Sequence, residues 1–364
     1  MRIIVTGGGT GGHIYPAIAV AREIKKRKKE TEILFVGTRT GIEAKAVPAA
    51  GFQIDFIKAS GLSFQPVKLT KFIFNNILGL IRAISIMNKF KPDLVIGSGG
   101  FVSAPVLAAS SLKKVPFVLL EQNALPGKVN RLMARKAEKI LATFDETSNY
   151  FSNEKTIITG NPIRAEILKY PKKQACKNLN LSPEKFTMVI TGGSQGARAV
   201  NNAVINSLPC WKEKDWQILH LVGRKNYEEV KDRTEPLMAD FKGIYKCLDY
   251  TEDMASIYAV ADLIISRSGA SSLAEITAVG IPAVLIPYPY AADNHQEKNA
   301  RGIEKAGGAV VIPDNEAEEK LKPTVEELAG SKEKLKIMAE KCKSMGKPQA
   351  LSNIVDEIEE ILSK

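Results

Sequence analysis

The chain has 364 residues, 45% of them apolar and 25% charged, a composition of ordinary globular proteins at a length that exceeds one core and suits two domains. Its four cysteines, Cys176, Cys210, Cys247 and Cys342, form no C-x-x-C pair, which argues against a zinc ribbon or disulfide framework and fits a reducing compartment. The net charge of +11 is lopsided, with 23 Lys+Arg against 11 Asp+Glu in residues 1–160 and 28 against 29 in the remainder; a basic half suits an anionic membrane or a phosphorylated substrate, and no nucleic-acid motif or aromatic-interleaved basic stripe points to nucleic acid.

In chain order, Arg2–Thr6 reads as a buried strand with no signal peptide ahead of it, followed by Gly7-Gly8-Gly9-Thr10-Gly11-Gly12-His13 and a helix from Tyr15. Strand, glycine turn and helix open a doubly wound unit. Glycines let backbone amides approach an anion, and the helix start adds its positive dipole end. Gly7-x-Gly9-x-x-Gly12 fits the dinucleotide spacing, yet the next strand, Ile33–Val36, ends in Gly37-Thr38-Arg39-Thr40 with no carboxylate for a ribose, which disfavours NAD at this loop. Further strands are expected at 54–57, 94–97, 116–120, 139–142 and 156–159, alternating with helical segments, so the first domain is α/β with a parallel sheet. The pattern then restarts. Phe186–Thr191 and Gly192-Gly193-Ser194-Gln195-Gly196-Ala197 echo the opening, with later strands at 217–222, 243–247, 262–265, 282–286 and 309–312, an internal repeat at domain scale. Domains of 1–162 and 163–349 are expected, with Lys-rich 169–177 as linker surface and the last helix, about 350–364, free to pack on either domain.

One segment breaks the alternation. From Phe64 to Lys91, Phe72, Phe74, Ile77, Leu80, Ile81, Ile84 and Phe90 cover nearly every face of a helix, flanked by Lys68, Lys71, Lys89 and Lys91. It reads as too short and interrupted to span a bilayer and suits docking on an anionic membrane surface; burial between sheet and loops is the plainer alternative.

Several polar clusters fall at strand ends, where α/β sheets hold ligands. Gly97-Ser98-Gly99-Gly100-Phe101-Val102-Ser103 follows Leu94–Ile96, and Glu121-Gln122-Asn123 follows strand 116–120. Arg164, closing the first domain, suits a phosphate clamp or an interdomain salt bridge. Ser266-Arg267-Ser268-Gly269-Ala270-Ser271-Ser272-Leu273-Ala274-Glu275 opens a helix, its serines and amides suited to a diphosphate and Glu275 to ribose hydroxyls. Asp293 is placed to cap the next helix, and Asn294, His295 and Gln296 offer directional hydrogen bonds to a sugar.

This set of motifs, in this order along the whole chain, resembles the MurG family of peptidoglycan glycosyltransferases, which have the GT-B fold of two Rossmann-like doubly wound domains facing a cleft. The resemblance implies transfer of GlcNAc from UDP-GlcNAc to the 4-hydroxyl of the muramyl sugar of lipid I, with inversion, at the cytoplasmic face of the membrane. It also implies a donor site of Ser194, the backbone of Thr251, Ala270, Ser271, Ser272, Leu273, Ala274, Glu275 and Gln296, completed by Thr10, Gly11, Gly12, Asn123 and Arg164. The first glycine loop would also serve the acceptor diphosphate, and the 64–91 segment the membrane. Another GT-B transferase, a UDP-GlcNAc 2-epimerase and a nonenzymatic UDP-sugar scaffold share parts of this pattern.

Inversion requires a base for the acceptor hydroxyl and stabilisation of charge on the departing diphosphate. His13 beside the glycine loop is the candidate base, with Glu121 as its orienter or as the base itself. The chain has no Asp-x-Asp pair, so no metal or other cofactor is expected.

Overall fold

The computed structural model describes residues 1–61, 66–193 and 195–363. The chain divides into two compact units, Met1–Pro162 with Pro348–Lys364, and Ile163–Lys347. In the first unit the order is β1 (Arg2–Thr6), α1 (Gly11–Arg27), β2 (Glu32–Gly37), α2 (Glu43–Ala49), β3 (Gln53–Phe56), α3 (Pro66–Phe90), β4 (Leu94–Gly97), α4 (Ser103–Lys113), β5 (Phe117–Glu121), α5 (Lys128–Met133), β6 (Lys139–Ala142) and β7 (Thr156–Ile158). The second unit holds α6 (Lys172–Asn178), β8 (Thr187–Thr191), α7 (Arg198–Trp211), β9 (Gln217–Leu221), α8 (Tyr227–Thr234), β10 (Ile244–Leu248), α9 (Met254–Val260), β11 (Leu263–Ser266), α10 (Ala270–Val279), β12 (Ala283–Leu285), α11 (His295–Lys305), β13 (Ala309–Val311), α12 (Ala317–Ala329) and α13 (Lys332–Ser344). α14 (Ala350–Leu362) returns to the first.

The first sheet has seven parallel strands in the order β3-β2-β1-β4-β5-β6-β7, the second six in the order β10-β9-β8-β11-β12-β13. All thirteen strands anticipated from the apolar runs form. Strand order reverses between β1 and β4 and again between β8 and β11, the switch points outside which open α/β sheets hold ligands. The glycine-rich turns stand at those two places, so the repeat seen in sequence is a repeat of topology.

Both faces of each sheet are covered, as the near-continuous apolar strands require. On one face of the first sheet Ile3, Val5, Leu94 and Val118 pack with Ile14, Ile18 and Ile24 of α1 and Ile354, Val355 and Ile358 of α14. On the other, Ile4, Val95 and Leu119 pack with Ala83, Ile86 and Met87 of α3 and Val106 and Leu107 of α4. Charge pins α14 along its length: Arg27 meets Asp356 at 2.5 Å, and Lys139 meets Glu357 at 2.5 Å and Glu360 at 2.6 Å.

Two expectations change. Residues 169–177 are not linker surface: α6 packs on α9, burying Ala175 and Cys176, and Lys172 pairs with Asp262 at 2.7 Å. The apolar pair Ala175-Cys176 is hidden in sequence by the lysines around it. The 66–90 part of the 64–91 segment is not interrupted either. α3 is one continuous helix, and Leu69–Phe90 is long and apolar enough to cross a membrane; its C-terminal half is instead core, through Ala83, Ile86 and Met87. Gly79 lets α3 press against the β3–α3 connection, where a Cβ would lie 2.1 Å from the Lys58 carbonyl oxygen.

Candidate active site

In the first unit the turns after β1 and β4 interlock. A Cβ on Gly7 would lie 2.9 Å from that of Ser98, and one on Gly100 would lie 2.4 Å from the Gly8 carbonyl oxygen. Gly99 and Gly100 have φ of +88° and +80°, a region that side chains strain to enter. Thr10 is the N-cap of α1, and no acidic residue occupies the first turn of that helix. Thr10 and Gly12 are exposed and Gly11 half-buried, so the first-turn amides and the positive helix end are open to an anion. The loop is held from behind by Glu43, fully buried at the start of α2: its Oε1 accepts from Thr38 N at 3.0 Å and Thr38 Oγ1 at 2.6 Å, and its Oε2 from Gly9 N at 3.2 Å. Gly9 therefore spends its donor on the protein.

His13, in the first turn of α1, lies against the β4 turn, with its ring atoms 3.0 Å from where a Gly99 Cβ would stand. Its Nδ1 is 3.0 Å from Gln122 Oε1. Gln122 Nε2 donates to Ser98 Oγ at 3.1 Å and Leu120 O at 3.3 Å, and Ser98 Oγ donates to His13 O at 2.6 Å. Glu121 does not orient His13, contrary to the sequence expectation. Its buried carboxylate is engaged elsewhere, accepting from Asn123 N and Gly127 N at 3.0 Å each and from Asn130 Nδ2 at 2.8 Å. It shapes the 121–127 loop, and hence Asn123, whose carbonyl also accepts from Thr147 Oγ1 at 3.2 Å.

In the second unit the turn after β8 packs on the end of β9. Gly196, at φ +72°, approaches so closely that a Cβ would lie 2.1 Å from the Val222 carbonyl oxygen. Ser194 lies outside the described residues. Beneath this turn His220 is fully buried between Tyr245 OH at 3.0 Å and Asn201 Oδ1 at 3.1 Å, and burial drives its pKa down to about 3; it is a neutral structural histidine.

The loop after β11 delivers α10, whose first turn is Ala270, Ser271, Ser272 and Leu273, capped by Gly269 and free of acidic residues. One turn further, past Ala274, Glu275 is gripped from two sides. Arg164 Nε donates to Oε1 at 3.1 Å and Nη2 to Oε2 at 3.4 Å, while buried Tyr258 OH donates to Oε2 at 3.1 Å. Burial and the adjacent carboxylate push the Tyr258 phenol well above its ordinary value. Arg164 Nη1 also donates to Glu252 O at 3.1 Å, and Thr251 Oγ1 accepts from Asp253 N at 3.1 Å. The structure thus joins the Thr251 loop, Arg164 and Glu275, which are far apart in sequence. Arg164 belongs to the second unit, and its ion pair is internal to that unit, not a bridge from the first.

Gln296 stands at the start of α11, its carbonyl bonded to Ser268 Oγ at 2.8 Å and its Oε1 to Tyr288 N at 3.0 Å. This ties it to the loop that opens α10. Asp293 is not the cap of α11; Asn294 occupies that position, and both adopt left-handed backbone with φ of +51° and +53°.

The family models of the glycosyltransferase family 28 N-terminal domain and C-terminal domain match residues 3–142 and 187–354. A relative in Halothermothrix orenii, named UDP-N-acetylglucosamine–N-acetylmuramyl-(pentapeptide) pyrophosphoryl-undecaprenol N-acetylglucosamine transferase, is 46% identical over 99% of both chains. The chain belongs to the MurG family. A relative of the same name in Desulforamulus reducens is 40% identical over the full length of both chains. The crystal structure of Acinetobacter baumannii MurG superposes with a TM-score of 0.81 at 27% identity, covering 99% of each chain. The fold is GT-B, and it is shared at a TM-score of 0.67 and 16% identity by the UDP-GlcNAc 2-epimerase of Neisseria meningitidis.

Within this MurG-family chain, sequence reasoning missed three positioning groups: Glu43, Gln122 as the imidazole's partner, and Tyr258 behind Glu275. Only Glu43 carried a signal, as a carboxylate two residues past Gly41 at the start of a helix. Among the described residues, no group of three or more His, Cys, Asp or Glu is arranged to hold a metal. On the first unit, α3 presents Ile73, Phe74, Ile77 and Ile81 at 50–62% exposure along one face. Lys71, Lys89 and Lys91 are exposed along the same segment; Phe64 lies outside the described residues.

Proposed function

We propose that the chain transfers GlcNAc from UDP-GlcNAc to the 4-hydroxyl of the MurNAc sugar in undecaprenyl-pyrophosphoryl-MurNAc-pentapeptide, with inversion at the anomeric carbon. The observation that carries this reading is the 46% identity over 99% of both chains to a relative named for that transfer. The 2-epimerase likeness is one of fold only.

The second unit takes the donor. The Thr251 backbone meets uracil, Glu275 the ribose hydroxyls, the Ala270–Leu273 amides and Ser194 the diphosphate, and Gln296 the GlcNAc. Arg164, whose side chain is 41% exposed, exchanges its carboxylate partner for phosphate oxygens once the ribose occupies Glu275. The first unit supplies Thr10, Gly11, Gly12 and Asn123 to the donor, and its glycine loop to the acceptor diphosphate. His13 Nε2 takes the proton of the acceptor hydroxyl as that oxygen bonds to the sugar's anomeric carbon. The bond from that carbon to the β-phosphate oxygen breaks, and UDP leaves with the electron pair. Helix N-termini and Arg164 carry the growing charge.

The enzyme acts on a lipid-borne substrate, so we place it on the inner face of the cell membrane, with the exposed apolar face of α3 in the interface and its lysines on anionic headgroups. Transfer of labelled GlcNAc to a lipid I analogue, with and without EDTA, tests the reading. Tight UDP-GlcNAc binding without transfer refutes it, as does release of N-acetylmannosamine.

A further inference from the structure

The imidazole of His13 is held by a directional chain. Ser98 has one hydroxyl proton, and at 2.6 Å it goes to the carbonyl oxygen of His13. Toward Gln122, Ser98 Oγ is therefore an acceptor, and the group facing it at 3.1 Å is the amide nitrogen. Leu120 O, an obligate acceptor, faces the same nitrogen at 3.3 Å. Two acceptors on one side of the amide fix its polarity, so Gln122 Oε1 points at His13 Nδ1 at 3.0 Å. A carbonyl oxygen only accepts, so Nδ1 bears the proton and Nε2 the lone pair. Gln122 and Ser98 are 2% and 0% exposed, so water does not compete. No ionisable side chain among the described residues hydrogen-bonds the ring: the Glu121 carboxylate is bonded to Asn123, Gly127 and Asn130, and the β4 turn presents Gly99 and Gly100.

We propose that Gln122 is a positioning residue which, oriented by Ser98, pins His13 as its Nδ1–H tautomer and so leaves Nε2 as the proton acceptor for the incoming hydroxyl. This rests on His13 being the base. Free histidine favours the opposite tautomer, with the proton on Nε2, so the pin changes which nitrogen is basic. It does for an uncharged relay what a carboxylate does in the serine-protease triad. An amide adds no charge next to a site that must receive diphosphates.

The test is nitrogen NMR of the full chain labelled in histidine, at a pH where the ring is neutral. With only His13, His220 and His295 present, assignment needs one variant at each. In the parent protein His13 is expected as Nδ1–H; a predominantly Nε2–H spectrum overturns the proposal with no variant at all. Gln122→Leu is expected to return the ring toward Nε2–H and lower kcat about ten-fold or more, with KM for UDP-GlcNAc within two-fold. Gln122→Glu keeps an acceptor on Nδ1 but sets an oxygen against Ser98 Oγ and Leu120 O, so it is expected to restore the Nδ1–H tautomer with only part of kcat. A Gln122→Leu enzyme with parental kcat, while His13→Ala is inactive, refutes the positioning role and leaves the base standing. An active His13→Ala enzyme refutes the base, and the parent spectrum still decides the tautomer.

Discussion

Glu43 offers a stability test that separates the two halves of the molecule. Its carboxylate is fully buried, accepts three hydrogen bonds from Thr38 and Gly9, and has no cationic partner among the described residues. It fills a slot walled by glycines: a Cβ on Gly8, Gly37 or Gly41 would lie 2.5, 2.6 or 2.1 Å from its atoms. Glu43→Gln keeps the shape and the oxygen facing Thr38 but sets an NH2 against the Gly9 N–H. One charge-assisted bond is lost and one buried donor orphaned, a loss of about 2 kcal/mol. Glu43→Ala orphans all three donors and leaves a void, for about 3–5 kcal/mol. Both tryptophans, Trp211 and Trp216, lie in the second unit, so tryptophan fluorescence during urea unfolding reports that unit alone. Amide exchange of β1 and β2 reports the first. Exchange protection in β1 and β2 should fall by these amounts while the fluorescence midpoint holds, and KM for the acceptor should rise as the glycine loop loosens. Protection in Glu43→Ala within 0.5 kcal/mol of the parent would refute the reasoning.

Three further outcomes follow from other parts of the structure. His220 has a folded-state pKa of about 3 against about 6.5 unfolded. The unfolded chain therefore binds a proton the native state refuses, and the second unit loses stability as pH falls below about 6.5, by about 2 kcal/mol at pH 5; urea midpoints by tryptophan fluorescence at pH 7.5 and 5 check this, and His220→Gln should flatten the difference. Tyr258→Phe removes one of the donors aiming Glu275, so UDP affinity by calorimetry should drop about ten-fold, the equivalent of about 1.4 kcal/mol, with the fold intact. Ile73, Phe74 and Ile81 replaced together by serine should cut co-sedimentation with phosphatidylglycerol vesicles at least ten-fold and leave UDP binding unchanged, since the buried half of α3 is untouched.

The architecture was legible because it is written in apolar runs and glycines. A strand buried on both faces cannot hide in sequence, and Gly7–Gly12 and Gly192–Gly196 mark where backbone must pass close to backbone or ligand. The parts of the proposed donor site were legible one motif at a time, but not their joining: Arg164, Glu252, Tyr258 and Glu275 meet only because the segment after the first domain packs against α9 and α10. The choice between Glu121 and Gln122 shows the limit most sharply. Glu121 and Gln122 are adjacent polar residues at the end of β5, and the sequence does not say which of them meets His13. What decides is where unpaired donors collect. The Asn123 and Gly127 amides and the Asn130 side chain collect around Glu121, and a buried carboxylate, an acceptor only, is stable only among donors. Around Gln122 stand one N–H, that of His13, and two acceptors, Ser98 Oγ and Leu120 O. Only a group that both donates and accepts satisfies all three, and that group is the amide of Gln122.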